Sequence, residues 1–191
     1  MSLSTTVALK EGSAVVEALS SGRQLLLLRK GGIRDPRGSF ELEHREFLLY
    51  PTWEHQRSEH LRAEFQPLIK PEPAGAATQV EFRLYAGAAF THELRESAAL
   101  SRLEKYHIWT PEFVAERMRY KPQAPTLLVA LRAYRLNQPV KHAVRPEYAG
   151  CKSWVRLAEP VDLGTAEPVV ENRRFRAALE EICDKINSCP A

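Results

Sequence analysis

Apolar and polar positions recur along this chain in blocks of changing period, and each change marks an element. Residues 6–21 place Val15, Val16 and Leu19 at helical spacing, with Gly22 where a C-terminal cap belongs. That pattern predicts a helix closed by the glycine. The next block, "QLLLLRK" at 24–30, is apolar almost throughout. A short continuous run predicts a strand covered on both faces and central in its sheet. Asp35-Pro36-Arg37-Gly38 then fits a type I turn, with aspartate first, proline presetting φ at the second place and glycine fourth. The flanking segments are therefore expected to pair as an antiparallel hairpin. In the returning strand, "SFELEHREFLLY", Phe40, Leu42, His44, Leu48 and Tyr50 share one face, and Glu41, Glu43 and Arg45 share the other. Phe47 and Leu49 break that alternation, which calls for burial on both sides or a bulge near Arg45.

Further along, Thr52 is placed to cap a helix over about 53–66, with Leu61 and Phe65 four apart. "KPEPAGAA" at 70–77 reads as a loop. Val80, Phe82 and Leu84 alternate in a strand over 78–86, and 93–105 reads as a helix. Thr110-Pro111-Glu112 is a strong helix start, and that helix must stop by Lys121-Pro122. "TLLVALRAYRL" (126–136) and "CKSWVRL" (151–157) read as strands. From Asn172, the residues Phe175, Ala178, Leu179, Ile182 and Ile186 form an amphipathic C-terminal helix over about 172–187. No repeat or domain-sized linker interrupts residues 1–191, so one domain is expected. Irregular alternation of strands and helices points to an α+β fold: a mixed or antiparallel sheet, curled or closed into a small barrel, packed with several helices.

Composition narrows the setting. A chain of 191 residues buries roughly 70% of its unfolded surface and needs neither disulfides nor a metal to fold. A hydrophobic fraction of 44% with 27% charged residues is globular, not disordered. Cys151, Cys183 and Cys189 are odd in number and form no C-x-x-C pair, which fits a reducing cytosol. The apolar runs fall well short of the ~20 residues of a membrane span, and "MSLSTTVALKEG" lacks the features of a signal peptide. A soluble cytoplasmic protein without membrane contact is expected.

The net charge is only +3, so any preference for polyanions must come from the placement of charge. Two stretches concentrate it. Between Arg23 and Gly38, five basic residues (Arg23, Arg29, Lys30, Arg34, Arg37) face one acid, and Gly31-Gly32 allows close backbone approach to a phosphate. Between Arg117 and Pro146 there is no acid, while Arg117, Arg119, Lys121, Arg132, Arg135, Lys141 and Arg145 are interleaved with Tyr120, Tyr134 and His142. Cations beside aromatic platforms suit an unstacked nucleotide. The bland alternatives are a solvated hairpin tip for the first and helix-end cations for part of the second. Arg132 and Arg135 also have opposite strand parity.

The histidines, His44, His55, His60, His92, His107 and His142, show no pair at metal-ligating helical spacing. No metal or cofactor is implied. His44 stands out because its parity sets it among apolar side chains. Glu81-Phe82-Arg83 is the nearest approach to a nuclease acid-x-Lys, but arginine cannot serve as the base. Nucleophile elbows, P-loops and dinucleotide fingerprints are absent.

The runs "LLLLRKGGI", "FELEHREFLLYPTWEHQ", "YHIWTPEFV" and "GCKSWVRL" resemble an uncharacterised family of domain-of-unknown-function proteins over most of the chain. That resemblance implies a setting beside, or fused to, Mrr-type restriction endonuclease domains. It therefore implies a role in restriction with a nuclease partner supplying cleavage. The helix ending at Gly22 and the strand ending at Arg29 are also similar to the opening of PUA-like barrels of the ASCH type, which implies RNA or modified-base binding. Leu27 and Leu25 stand where that pattern carries glutamate and threonine.

The leading expectation is a nucleic-acid or modified-base binding module. Arg29, Lys30, Gly31, Gly32, Arg34 and Arg132 are its candidate phosphate contacts. Tyr50 and Trp53 are candidates to stack on a base, with Glu43, His55 or Gln56 reading its edge. The alternative for Tyr50 and Trp53 is the core, the commoner fate of such rings. Two other classes stand beside this. One is an enzyme on a nucleotide or phosphorylated metabolite, with His44 or His55 as acid–base group and Glu43 orienting it. The other is an assembly partner presenting an exposed Phe175–Ile186 stripe.

Overall fold

The computed structural model describes residues 4–30, 40–76, 78–95 and 97–186. Among these residues seven strands form one mixed sheet: β1 (Ser4–Gly12), β2 (Leu26–Arg29), β3 (Glu46–Thr52), β4 (Gln79–Leu94), β5 (Thr126–Ala143), β6 (Trp154–Asp162) and β7 (Ala166–Pro168). The order is β2-β5-β4-β3-β1-β6, with β7 also paired to β5. Among the described residues only β1 and β3 run parallel; the remaining pairings are antiparallel. The helices are α1 (Ser13–Ser20), α2 (Ala98–Ser101), α3 (Pro111–Arg119) and α4 (Asn172–Lys185). The fold is α+β, and the strand path runs from β2 to β6 without closing among the described residues.

The sheet has a core on each side. One gathers Leu9, Phe47, Leu49 and the β2 leucines under α1 and α4; the other gathers Ala8, Leu48, Tyr50, Phe82 and Tyr148. Successive residues of β3 thus enter different cores, so Phe47 to Tyr50 are all buried. Double burial, not a bulge at Arg45, explains the broken alternation.

Several caps follow local chemistry. Gly22, at φ +69, ends α1. The Arg23 N–H reaches the Ala18 carbonyl at 2.9 Å and the Gly22 N–H reaches Leu19 at 3.1 Å, the paired bonds of a Schellman motif. Thr110 Oγ1 accepts from the Phe113 N–H at 3.2 Å at the start of α3. The apolar stripe of α4 is spent internally: Phe175, Ile182 and Ile186 are buried in the first core. An exposed stripe for an assembly partner is therefore not present.

Other expectations are corrected. The helix foreseen over 6–21 is split, because the β-branched Thr5, Thr6 and Val7 extend into β1 and only residues 13–20 coil. The helix foreseen over 53–66 is two short 3-10 turns, Ser58–His60 and Ala63–Leu68. The 93–105 helix shrinks to α2 and a turn at Glu104–Tyr106. β2 and β3 do not pair as a hairpin: β2 joins β5, and β3 joins β1 and β4. Nor is β2 central, for it ends the strand order. Its leucines are buried because the chain around Tyr106 covers it, the Tyr106 carbonyl accepting the Leu25 N–H at 3.0 Å. The Asp35–Gly38 turn lies outside the described residues. Among those described, no helix is long and apolar enough to cross a membrane.

Candidate functional site

The parallel register of β1 and β3 sets Glu11 beside Pro51 and Gly12 beside Thr52, so both strands finish together. Open sheets offer ligand crevices at such carboxyl ends. A cleft of about 360 Å³ opens here, between the start of α1, the end of β2, the segment after β3 and the inner side of α3. The segment after β3 is tied to the approach to α3 by a Leu61–Trp109 bridge and by the Thr110 N–H donating to the His60 carbonyl at 3.0 Å. These ties bring Trp109, Phe113 and Tyr120 opposite His55 and Gln56.

Arg29 forms one wall. It pairs with Glu11 at 3.0 Å, with both side chains largely buried, and donates to the Lys10 carbonyl at 3.1 Å. Its guanidinium also lies 4.8 Å from the centre of the Phe40 ring. β2 and β1 stand near opposite ends of the strand order, so these bonds hold the curl of the sheet. Arg117, from the last turn of α3, forms another wall. No ion pair or hydrogen bond engages it among the described residues, and Glu11 and Glu116 favour its charge only from beyond ion-pair distance. Burial, and then the neighbouring Arg29 charge, hold the Arg117 guanidinium below the ordinary arginine value. It remains protonated, since arginine does not lose its proton in proteins.

The rings make the third wall. Tyr120 is 42% exposed, unusually open for so large an apolar side chain. His60 lies on Phe113 with centroids 4.6 Å apart, and Phe113 follows Trp109 at 6.2 Å. His55 sits at the mouth with φ +60, a left-handed backbone that costs a non-glycine residue about 1 kcal/mol or more.

Of the residues singled out from sequence, Arg29, His55 and Gln56 meet in this cleft. Gln56 is engaged there: its Oε1 accepts from the Ala14 N–H at 2.9 Å and caps α1. Lys30 is buried and donates to the Met118 carbonyl near the end of α3, so its ammonium is not offered to a ligand. Tyr50 is in the second core, edge-on to Phe82 at 5.8 Å, and is not available to stack on a base. Trp53 points to the other side of its segment, into a different cleft. His44 stands edge-on to Trp154 at 5.3 Å and Glu43 is exposed nearby; neither lines the cleft. Gly31, Gly32 and Arg34 lie outside the described residues.

The long basic stretch disperses. Arg132 donates to the Val170 carbonyl at 2.6 Å and to Asn172, and stacks 4.5 Å from Phe175. Arg135 bonds the Ser20 carbonyl at 2.6 Å, and Arg145 pairs with Glu159 at 3.4 Å. Only Arg117 and Tyr120 from that stretch reach the cleft. Glu11, Trp109 and Phe113 were not anticipated. The nearest signal was "YHIWTPEFV", whose ring spacing brackets a helix start. Among the described residues, no three His, Cys, Asp or Glu side chains gather as a metal-ligating group.

Comparison with known proteins gives two likenesses. The chain is similar to a crystal structure of the ASCH protein of Zymomonas mobilis, a serine-to-alanine mutant. The TM-score is 0.46 and the identity 11%, covering 80% of this chain and 88% of that one. No curated protein matches the sequence. The family model for a domain of unknown function, DUF1802, matches residues 8–181, and this chain belongs to that family.

Proposed function

We propose that the cleft binds one nucleotide unit, with its phosphate on Arg117, beside the Arg29–Glu11 pair, and its base against the rings of Tyr120 and Phe113. The nucleotide is either free or presented by a single strand. One observation carries this reading: Arg117 holds a half-buried positive charge, in no ion pair among the described residues, over a ring-lined cavity. An unpaired charge removed from water is costly, and an entering anion offsets that cost. The volume of about 360 Å³ falls at the small end of ligand clefts, roughly 300–1,000 Å³. That size suits one nucleotide and not a duplex. The scattering of Arg132, Arg135 and Arg145 onto structural partners argues against an extended basic groove. In the restriction setting that the family resemblance implies, this chain would supply recognition and a separate nuclease the cleavage.

The test is fluorescence anisotropy or calorimetry with nucleoside monophosphates and with short single-stranded DNA and RNA across a salt series. Binding is expected to weaken at least about tenfold in Arg117→Ala, since hydrogen bonds to charged groups contribute about 1.5–3 kcal/mol. Absence of binding at low salt, or wild-type affinity in Arg117→Ala, refutes the proposal.

A second reading rests on His55, whose left-handed backbone marks it as a strained cleft residue. In that reading the imidazole is an acid–base group acting on the bound nucleotide or on a phosphorylated metabolite. Asparagine tolerates left-handed backbone, so His55→Asn removes the ring without adding strain. Phosphate release by the wild type that is lost in His55→Asn would establish it. No turnover by the wild type would leave binding as the function.

A further inference from the structure

The segment that forms the floor of the cleft has a second side. Successive residues at the end of β3 and just beyond it point in opposite directions, so Thr52 and Glu54 line the first cleft while Pro51 and Trp53 line another, of about 500 Å³. The two cavities share their walls. α1 gives Ala14 and Val15 to the first and Val16 and Glu17 to the second, and the 68–70 segment gives Ile69 to the first and Leu68 and Lys70 to the second.

Trp53 is unusual within this second cleft. It is half-buried, yet belongs to neither core. No ring contact, cation or hydrogen bond engages it among the described residues. A tryptophan that contributes to no core and faces a cavity offers a free π-face. The charges around it lean positive. Arg83 and Glu81 pair with each other, which leaves Lys70 and Lys141, neither in an ion pair among the described residues, against Glu17.

From this we infer that the ligand is a single-stranded nucleic acid bound across the ridge. One nucleotide lies in the Arg117 cleft, and its neighbour in the same strand stacks on Trp53, with the following phosphate near Lys70 and Lys141. The inference rests on the nucleotide reading of the first cleft and goes beyond it, because a free mononucleotide has no use for the second. Alternating direction along one extended segment is the physical reason the two subsites are adjacent. Cations beside an unstacked ring supply the two interactions that a single strand requires, charge neutralisation and base stacking.

The test compares thymidine bisphosphate, the thymidylate dinucleotide and a longer oligothymidylate, with their uridylate counterparts, on the full chain. The bisphosphate carries at least as much charge as the dinucleotide, so any gain reports the second ring. Stacking contributes about 1–3 kcal/mol per base, so the dinucleotide is expected to bind roughly tenfold or more tighter. In Trp53→Ala that step should vanish while bisphosphate affinity stays unchanged, and Trp53→Phe should keep most of it. If Trp53→Ala fails to fold, Lys70→Glu/Lys141→Glu carries the test, because both lysines are exposed. It should selectively weaken the oligonucleotide. Equal affinity for bisphosphate and dinucleotide, or equal weakening of both by the variants, overturns the inference while the single-nucleotide reading stands. No binding of any of them overturns both.

Discussion

Gln56 offers the cleanest separation of a structural from a recognition role. Its carboxamide stands at the start of α1, whose N-cap is Gly12 and which has no side-chain cap at that position. Oε1 accepts from the Ala14 N–H at 2.9 Å, and Nε2 donates to Ser13 Oγ at 3.0 Å. Gly12 suits the close approach, because a Cβ there would lie 3.2 Å from Gln56 Oε1. Gln56→Ala leaves the helix end uncapped, a loss of about 0.5–2 kcal/mol. The second hydrogen bond adds about 0.5–1.5 kcal/mol, so the sum is about 2 kcal/mol. For a chain of this size, each kcal/mol moves Tm by about 2–4 °C, so Gln56→Ala should melt roughly 4–8 °C lower. Gln56→Glu keeps the acceptor at the positive end of the helix dipole, and the Ser13 hydroxyl can rotate to donate to it. Its stability should fall within about 0.5 kcal/mol of wild type. Calorimetry at neutral pH, paired with urea unfolding, measures both. If Gln56→Ala melts with the wild type, or Gln56→Glu is damaged as much as Gln56→Ala, the capping argument is wrong.

Three further predictions follow from the same geometry. Arg132→Ala should cost about 2–3 kcal/mol by unfolding, because it frees the Val170 carbonyl and Asn172 and removes the cation over Phe175; nucleotide affinity should not change. Gly22→Ala should destabilise by about 1 kcal/mol or more, since the backbone is left-handed and the new Cβ would meet Val170 Cγ2 at 3.1 Å. His107 is buried against Trp109, and burial lowers its pKa below the ordinary 6.5. The unfolded chain therefore binds the proton more readily, and stability should decline as pH falls below about 6.5. His107→Leu should flatten that limb of a pH series of urea midpoints; an unchanged slope would assign it to another group.

Much of the fold was readable wherever the signal was local. Gly22 had to follow a helix, because only glycine takes that backbone without penalty. Thr110-Pro111 had to begin one, and Phe175, Ala178, Leu179, Ile182 and Ile186 had to share one face of another. The doubled apolar run of β3 called for burial on both faces or a bulge near Arg45, and the two cores settled it as burial. These are properties of a few neighbouring residues, and neighbours in sequence remain neighbours in space.

What tertiary structure alone decided was pairing and company. Nothing in "LLLLRK" states that its hydrogen-bonding partner is β5 and not the strand next in sequence, because backbone N–H and C=O groups are the same in every strand. The functional surface was opaque for the same reason. Arg29 on β2 and Arg117 on α3 are far apart in the chain, and they meet only because α3 packs across the end of the sheet. Lys30 and Arg132 carry the same charges in sequence, yet one is buried on a carbonyl and the other anchors α4. A basic side chain becomes a binding residue only when the fold leaves it without a partner, and that depends on which distant groups the packing brings within reach.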